Sequence, residues 1–377
     1  MVKPLFIVTS IAVLAVCCSA PLLARAESAK WIRAGINADH PVWGLADGIM
    51  VGIWPGAIDE KGGALAPPGK RGPETVPLPG ADTATPRKGK GGPRGLIRIG
   101  YPMGEPRQHR LVNFIAVEPD LGDGKWRGQS ELEPSESDGM PGKQFEVHPP
   151  IGEAWGPSGA WYPGLPDHPP DNPKADRLRF CIAMEKFRNG AHPLLLVTLR
   201  SDRPDEVMFQ VFHMPDSAPM RMCVLTATMG NYARLRLAYL ADGRIRDARK
   251  IWPDFAGNDF APFHEVPLMQ LARTSDKGVI VPMETDEKDP ASNWPYAPDL
   301  FWRWPYEKVT QYWRAERGQF GQELAFAANA RRVYWRTDLA IPGGVAFENT
   351  ELRQVYRPGQ AVSFGVTRRT PQEMVGH

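Results

Sequence analysis

Between Arg177 and Leu240 apolar side chains recur at every second position and turn residues break the run at short intervals, which restricts the fold more than any other stretch. Leu178, Phe180, Ile182 and Met184 alternate with Arg179, Cys181, Ala183 and Glu185, the period of two that sends successive side chains to opposite faces of a β-strand. Asn189-Gly190 then marks a reversal, because this pair accepts the positive backbone angles of a hairpin turn. The return strand is predicted over Pro193–Arg200, apolar on both faces from Leu194 to Val197 and therefore covered on both sides. Turn chemistry at Arg203-Pro204-Asp205, Pro215-Asp216-Ser217 and Asp242-Gly243 separates further strands over 207–213, 220–229 and 232–240.

Elsewhere the same pattern predicts strands over 96–101, 110–118, 279–284, 344–352 and 361–367, and reads 43–54 as one Gly-punctuated strand. Phe260–Arg273 combines a strand with a short helical turn. Glu323–Arg332 is the best helix candidate, although its Ala-rich pattern also leads into a strand through Val333, Tyr334 and Trp335. Strands at this spacing with few helical patterns predict an all-β fold, an antiparallel β-sandwich. Without a leader about 350 residues remain, large for a simple jelly roll; the length fits one extended sandwich, a supersandwich with long Pro/Gly-rich loops, or two sandwiches side by side, and the first is the expectation.

Lys3, the apolar run from Leu5 to Ala20 and the small residues of Ala24-Arg25-Ala26 read as a signal peptide over 1–26. One large domain over 27–377 is then expected in a periplasm or secreted beyond it, with no membrane association after cleavage. Residues 55–95 hold little besides Pro, Gly, Lys and small side chains and read as a flexible insertion. A second Pro-rich loop, 148–174, carries Trp155, Trp161 and Tyr162. Beyond the leader only Cys181 and Cys223 remain, either a disulfide or two buried thiols on neighbouring strands. With 45 basic against 43 acidic residues, nothing points to nucleic acid. The chain has no nucleotide-binding Gly loop, no Gly-x-Ser-x-Gly and no His-Glu-x-x-His, which argues only against the families that use them; no cofactor and no metal ligand is assigned from the sequence.

Two segments resemble the galactose-mutarotase-like β-supersandwich family, which also includes polysaccharide lyase and glycoside hydrolase modules. One is the strand, Asn-Gly turn, strand, Ser-Asp-x-Pro turn, strand order within 177–213; the other is Gly343-Gly344-Val345-Ala346-Phe347-Glu348 followed by Arg357-Pro358-Gly359-Gln360. The resemblance implies a sugar ligand, with His213 near the place of the family's general acid and Glu348 near that of its base. Met214-Pro215-Asp216-Ser217 replaces the aromatic and Asn that follow the family's His. The chain is also similar to secreted bacterial proteins of unassigned activity that share its Gly-Pro-Arg-Gly-Leu-Ile-Arg and Asn-Phe-Ile-Ala-Val-Glu-Pro segments.

Sugar chemistry commonly needs an ionised carboxylate and a group able to donate a proton. Glu348 stands in an apolar strand where burial raises a carboxyl's pKa unless an arginine pairs with it. His213 falls in register with Val207, Phe209 and Val211, on an apolar face that also suits a structural histidine. Glu131 and Glu133, two apart, share one face if they lie on a strand, close enough to bind a cation or act as a general acid/base pair; in a loop they are merely solvated. Asn113 and Glu118 lie at odd separation and face opposite sides of one strand. Around Trp302 the density of aromatic residues, including Tyr312, suits either a core or a platform for sugar rings, with Arg303 and Arg314 as donors to hydroxyls or carboxylates. The sequence thus points to a secreted protein that binds or processes carbohydrate, by acid/base chemistry of Glu348 and His213 in an epimerase, lyase or hydrolase. The alternative is a non-catalytic carbohydrate-binding or structural extracytoplasmic protein.

Overall fold

The computed structural model describes residues 31–34, 42–53, 94–103, 108–124, 126–148, 167–287, 307–335 and 338–375. The expected signal peptide, most of the Pro/Gly-rich insertion, the second Pro-rich loop from 149 to 166, and both Trp302 and Arg303 lie outside these residues.

Two large antiparallel sheets make the fold. The first runs β1 (Trp31–Ala34), β2 (Val42–Leu45), β3 (Met50–Gly52), β4 (Ile97–Met103), β5 (Gln108–Asp120), β10 (Met222–Ala227), β18 (Ala346–Arg353), β17 (Ala325–Arg331) and β13 (His264–Pro267). The second runs β12 (Ile245–Asp247), β11 (Leu235–Tyr239), β15 (Val279–Thr285), β16 (Thr310–Ala315), β19 (Gln360–Thr367), β9 (Glu206–His213), β8 (Pro193–Arg200), β7 (Arg177–Met184) and β6 (Phe145–His148), with β14 (Ala272–Arg273) also beside β15. Among the described residues no helix is long and apolar enough to cross a membrane.

The sheets stack through one apolar core to which both contribute. Trp43 of β2 meets Phe180 of β7 with ring centroids 4.2 Å apart, and Trp313 of β16 donates its indole N–H to the Thr350 carbonyl of β18 at 2.9 Å. Such layering is the sandwich solution to two half-apolar sheets. In β7 the even-numbered set Leu178, Phe180, Ile182 and Met184 enters the core as its alternation predicts.

Four expectations are corrected. Residues 43–54 hold a hairpin, β2 and β3, because Asp47-Gly48 supplies a turn in which Leu45 N donates to Ile49 O at 3.1 Å. The helix candidate contains strand β17, whose Ala327, Ala328 and Ala330 are fully buried; as an interior strand its ladder and burial override alanine's helix propensity. His213 is exposed while Val207, Phe209 and Val211 are buried, since β9 ends there and runs past the core. Cys181 and Cys223 are buried and not joined in a disulfide; they lie on β7 and β10, which belong to different sheets and are not neighbouring strands.

Candidate functional site

Beyond β5 the chain doubles back along the end of that strand, beside the turn that joins β7 to β8. Gly128 N donates to Pro119 O at 2.8 Å and Ser130 N to Val117 O at 3.1 Å. Ser130 Oγ donates in turn to Gly95 O at 2.6 Å. Gly95 has φ +69° and sits so close to the Ser130 carbonyl that any side chain there would collide, so glycine is required. Leu132 N and Glu133 N both donate to Gln129 O, at 3.2 and 2.9 Å, which closes a tight turn over 129–133. Glu131 and Glu133 therefore stand on a turn, not a strand, and serve different surroundings.

Glu133 faces an open cavity of about 530 Å³ lined by Trp126, Gln129, Leu132, Arg188 and Asn189 as well. Trp126 is 72% exposed at its rim. Glu133 is buried; its Oε2 accepts from Arg188 N at 2.9 Å and lies 3.5 Å from the equally buried Lys143 ammonium. Its Oε1 is buried without a partner. Lys143 donates to Lys186 O at 2.7 Å, which fixes the counter-charge beneath the cavity. Asn189 anchors the wall: Nδ2 donates to Pro119 O and Oδ1 accepts from Ala191 N, both at 3.0 Å. The Arg188 guanidinium and the Gln129 amide keep their hydrogen-bonding groups without partners among the described residues. An exposed indole, a held carboxylate and two spare polar arms are the elements that bind a polyhydroxylated ring: one apolar face and several directed hydrogen bonds.

Behind the cavity, Arg127 turns inward from Trp126 onto the sheet. Its Nε lies 2.7 Å from Glu118 Oε2 on β5 and its Nη2 3.0 Å from Glu351 Oε2 on β18. Arg353 approaches Glu351 from the same strand at 2.5 Å, and Thr226 of β10 donates its hydroxyl to Glu351. Burial pushes Glu118 up to about 8 despite Arg127, with Glu351 and Glu131 adding repulsion. Glu131, whose Oε2 is buried without a partner, is pushed up to about 7, also by burial. For Glu351 burial acts the same way, yet Arg127 and Arg353 together outweigh it and hold the carboxylate ionised. Among the described residues no group of three or more His, Cys, Asp or Glu is placed to hold a metal ion.

The catalytic pair expected from the sequence is not assembled. Glu348 is buried beside a register shift in the β17–β18 ladder, with Oε2 unpartnered, and burial pushes it up to about 8 against the opposing Arg331. His213 instead bonds Tyr356 Oη at 2.7 Å. The β10–β18 ladder continues from Gly230 N→Glu348 O at 3.1 Å to Tyr356 N→Arg221 O at 2.8 Å, so Glu348 and Tyr356 lie along one extended segment. At about 3.3 Å per residue this segment spans roughly 26 Å, which leaves Glu348 and His213 at opposite ends, too far apart for a sugar ring to bridge.

The expected binding residues are dispersed. Asn113 faces the core and is spent on structure: Nδ2 donates to Gln311 Oε1 at 2.7 Å, and Oδ1 accepts from Phe114 N at 2.7 Å and Met229 N at 3.0 Å. Tyr312 and Arg314 lie on the outer face of the second sheet. The Tyr312 hydroxyl donates to Glu206 at 3.1 Å, and Arg314 pairs with Asp276 at 2.6 Å and Glu206 at 3.2 Å. Only Glu133 reaches the cavity and only Glu131 the glutamate cluster. Sequence reasoning missed Trp126, Arg127, Gln129 and Arg188. A lone tryptophan within the polar stretch 120–142 was the available signal for the first two.

No family model and no curated protein matches the chain. The crystal structure of HI1317 aligns with 72% of this chain and 92% of its own at 8% identity, with a TM-score of 0.19, a likeness that carries no argument about fold or function.

Proposed function

We propose that the protein binds carbohydrate outside the cytoplasm, with the ligand seated against Trp126 over the Glu133 cavity. The observation that carries this reading is the pairing of a 72% exposed indole with a buried carboxylate whose Oε1 has no partner. A sugar ring stacks on the first and donates a hydroxyl to the second, while Arg188 and Gln129 donate to ring oxygens. The reading keeps the sugar ligand that the mutarotase-like resemblance implies and gives up the His213–Glu348 pair.

A second reading, acid/base chemistry on a sugar, draws on the glutamates behind the cavity. Glu131 at about 7 and Glu118 at about 8 beside an ionised Glu351 are carboxyls of opposed protonation within one cluster. Both readings meet one experiment. The purified protein is screened on a glycan panel and any retained glycan is incubated and analysed for products. Loss of retention by at least tenfold in Trp126→Ala and Glu133→Gln supports binding. Turnover lost in Glu131→Gln with retention kept supports the second reading. Retention of no glycan, or retention indifferent to Trp126→Ala, rejects both.

A further inference from the structure

The outer face of the second sheet carries another cavity, of about 190 Å³, far from Trp126 at the opposite end of β7. Its floor follows from register. Arg179, Thr198, Met208, Ser363 and Arg314 are directly paired across β7, β8, β9, β19 and β16, so all five stand in one row on one face. One row along, Glu206 pairs with Gly365 and Gly365 with Tyr312. Thr198 and Ser363 are short and flank Met208, all three line the cavity, and arginines stand at both ends of the row, so the face forms a trough across the strands.

Two features of this trough point to a ligand. Thr198 is 3% exposed, lines the cavity, and its Oγ1 is buried without a hydrogen-bond partner, a costly state for a hydroxyl. The second feature is the way the charges are paired. Each carboxylate lining the trough is already held by arginine: Asp171 by Arg200 at 2.9 Å, Glu206 by Arg314 at 3.2 Å, and Glu316 by both Arg203 and Arg314. None is left for a cation. Arg203 is half-buried and gives only Nη1 to Glu316, so Nε and Nη2 keep their N–H groups without partners among the described residues.

We propose that this trough is a binding site for a small oxyanion, a carboxylate or phosphate group, held by the free edge of Arg203 and the Thr198 hydroxyl. A guanidinium edge presents two parallel N–H groups to such an anion, and the hydroxyl supplies a third donor from the floor. The site is independent of the sugar-binding cavity and stands whether or not that reading holds.

The test is calorimetric titration of the purified protein with inorganic phosphate and, separately, with malonate, which distinguishes the two sources of the group. Saturable binding of either at millimolar concentration or below is expected. Arg203→Gln and Thr198→Val should each weaken it about tenfold or more. Thr198→Val should also leave the melting temperature in anion-free buffer unchanged or raised, since it removes a hydroxyl that bonds nothing within the fold. This variant serves alone if loss of the Glu316 pair prevents Arg203→Gln from folding. Failure of both anions to bind, or binding unchanged in the variants that fold, overturns the proposal. So does a fall in melting temperature in Thr198→Val, because it would show the hydroxyl to be bonded internally.

Discussion

Asn113 of β5 and Gln311 of β16 join the two sheets amide to amide across the apolar interior, at 2.7 Å. The Asn113 oxygen also receives two backbone N–H groups, so one side chain satisfies three buried groups. Asn113→Ala strips all three of their partner, and each buried orphan costs about 1–3 kcal/mol. A loss of about 3 kcal/mol or more is expected in urea denaturation, with ligand affinity of the folded fraction unchanged. A change below about 1 kcal/mol would mean that these groups find other partners.

Arg127 lies between two buried glutamates, and its removal leaves them without their shared cation. Arg127→Met should cost about 3–5 kcal/mol, the range for breaking a buried ion pair from one side. Adding Glu351→Gln should restore part of that loss, because it removes the carboxylate that the arginines keep ionised. A double variant no more stable than Arg127→Met contradicts the electrostatic account.

Glu348 sets a pH dependence whose sign follows from burial. Unfolded, its carboxyl ionises near 4.5; folded, it keeps its proton to about 8. Between those values folding takes up a proton, so this group's contribution to stability falls as pH rises, by about 1.4 kcal/mol per pH unit. Its full contribution is present below the unfolded pKa and is lost by about pH 8. Glu348→Gln cannot ionise. Its stability relative to the unmodified protein should therefore climb from pH 5 to pH 8 in paired denaturant titrations. A constant difference across that range is the opposing result.

Cys223 is buried and its thiol is pushed up to about 12, mainly by burial, which leaves almost no reactive thiolate at neutral pH. Cys181 is buried as well. Both should resist iodoacetamide in the native protein and react once denaturant is added, as peptide mass spectrometry can show. A disulfide between them in the native protein would contradict the placement of Cys181 on the face of β7 opposite its core set, while Cys223 packs in the core.

Period-two patterning located strands well because it records burial on one face, a local property. Pro193–Arg200 and the core-facing set of β7 are legible in this way. Partnership between strands is not local. Nothing within 220–229 says that β10 leaves its sequence neighbours to pair with β5 and β18 in the other sheet. The helix candidate failed for a related reason: alanine at 327, 328 and 330 suits a helix by propensity and a crowded strand by size, and only the strands on either side decide. At the candidate site, Glu133 was visible as chemistry but its depth was not. The turn that buries it depends on Gln129, Lys143 and Gly95, which are brought together only by the fold. Asn113 misled for the converse reason, since a polar residue in an apolar strand marks either a site or an internal bond and its partner lies 198 positions away.

Both sheets take interior strands from the last two strands in sequence order: β18 lies between β10 and β17, and β19 between β16 and β9. During synthesis, therefore, neither layer can close until residues 346–367 have left the ribosome, and the strands made before them wait with open edges. Premature termination shortly before Val345 cuts both layers through the middle. Such a product should be captured by chaperones or degraded rather than accumulate as a trimmed native form.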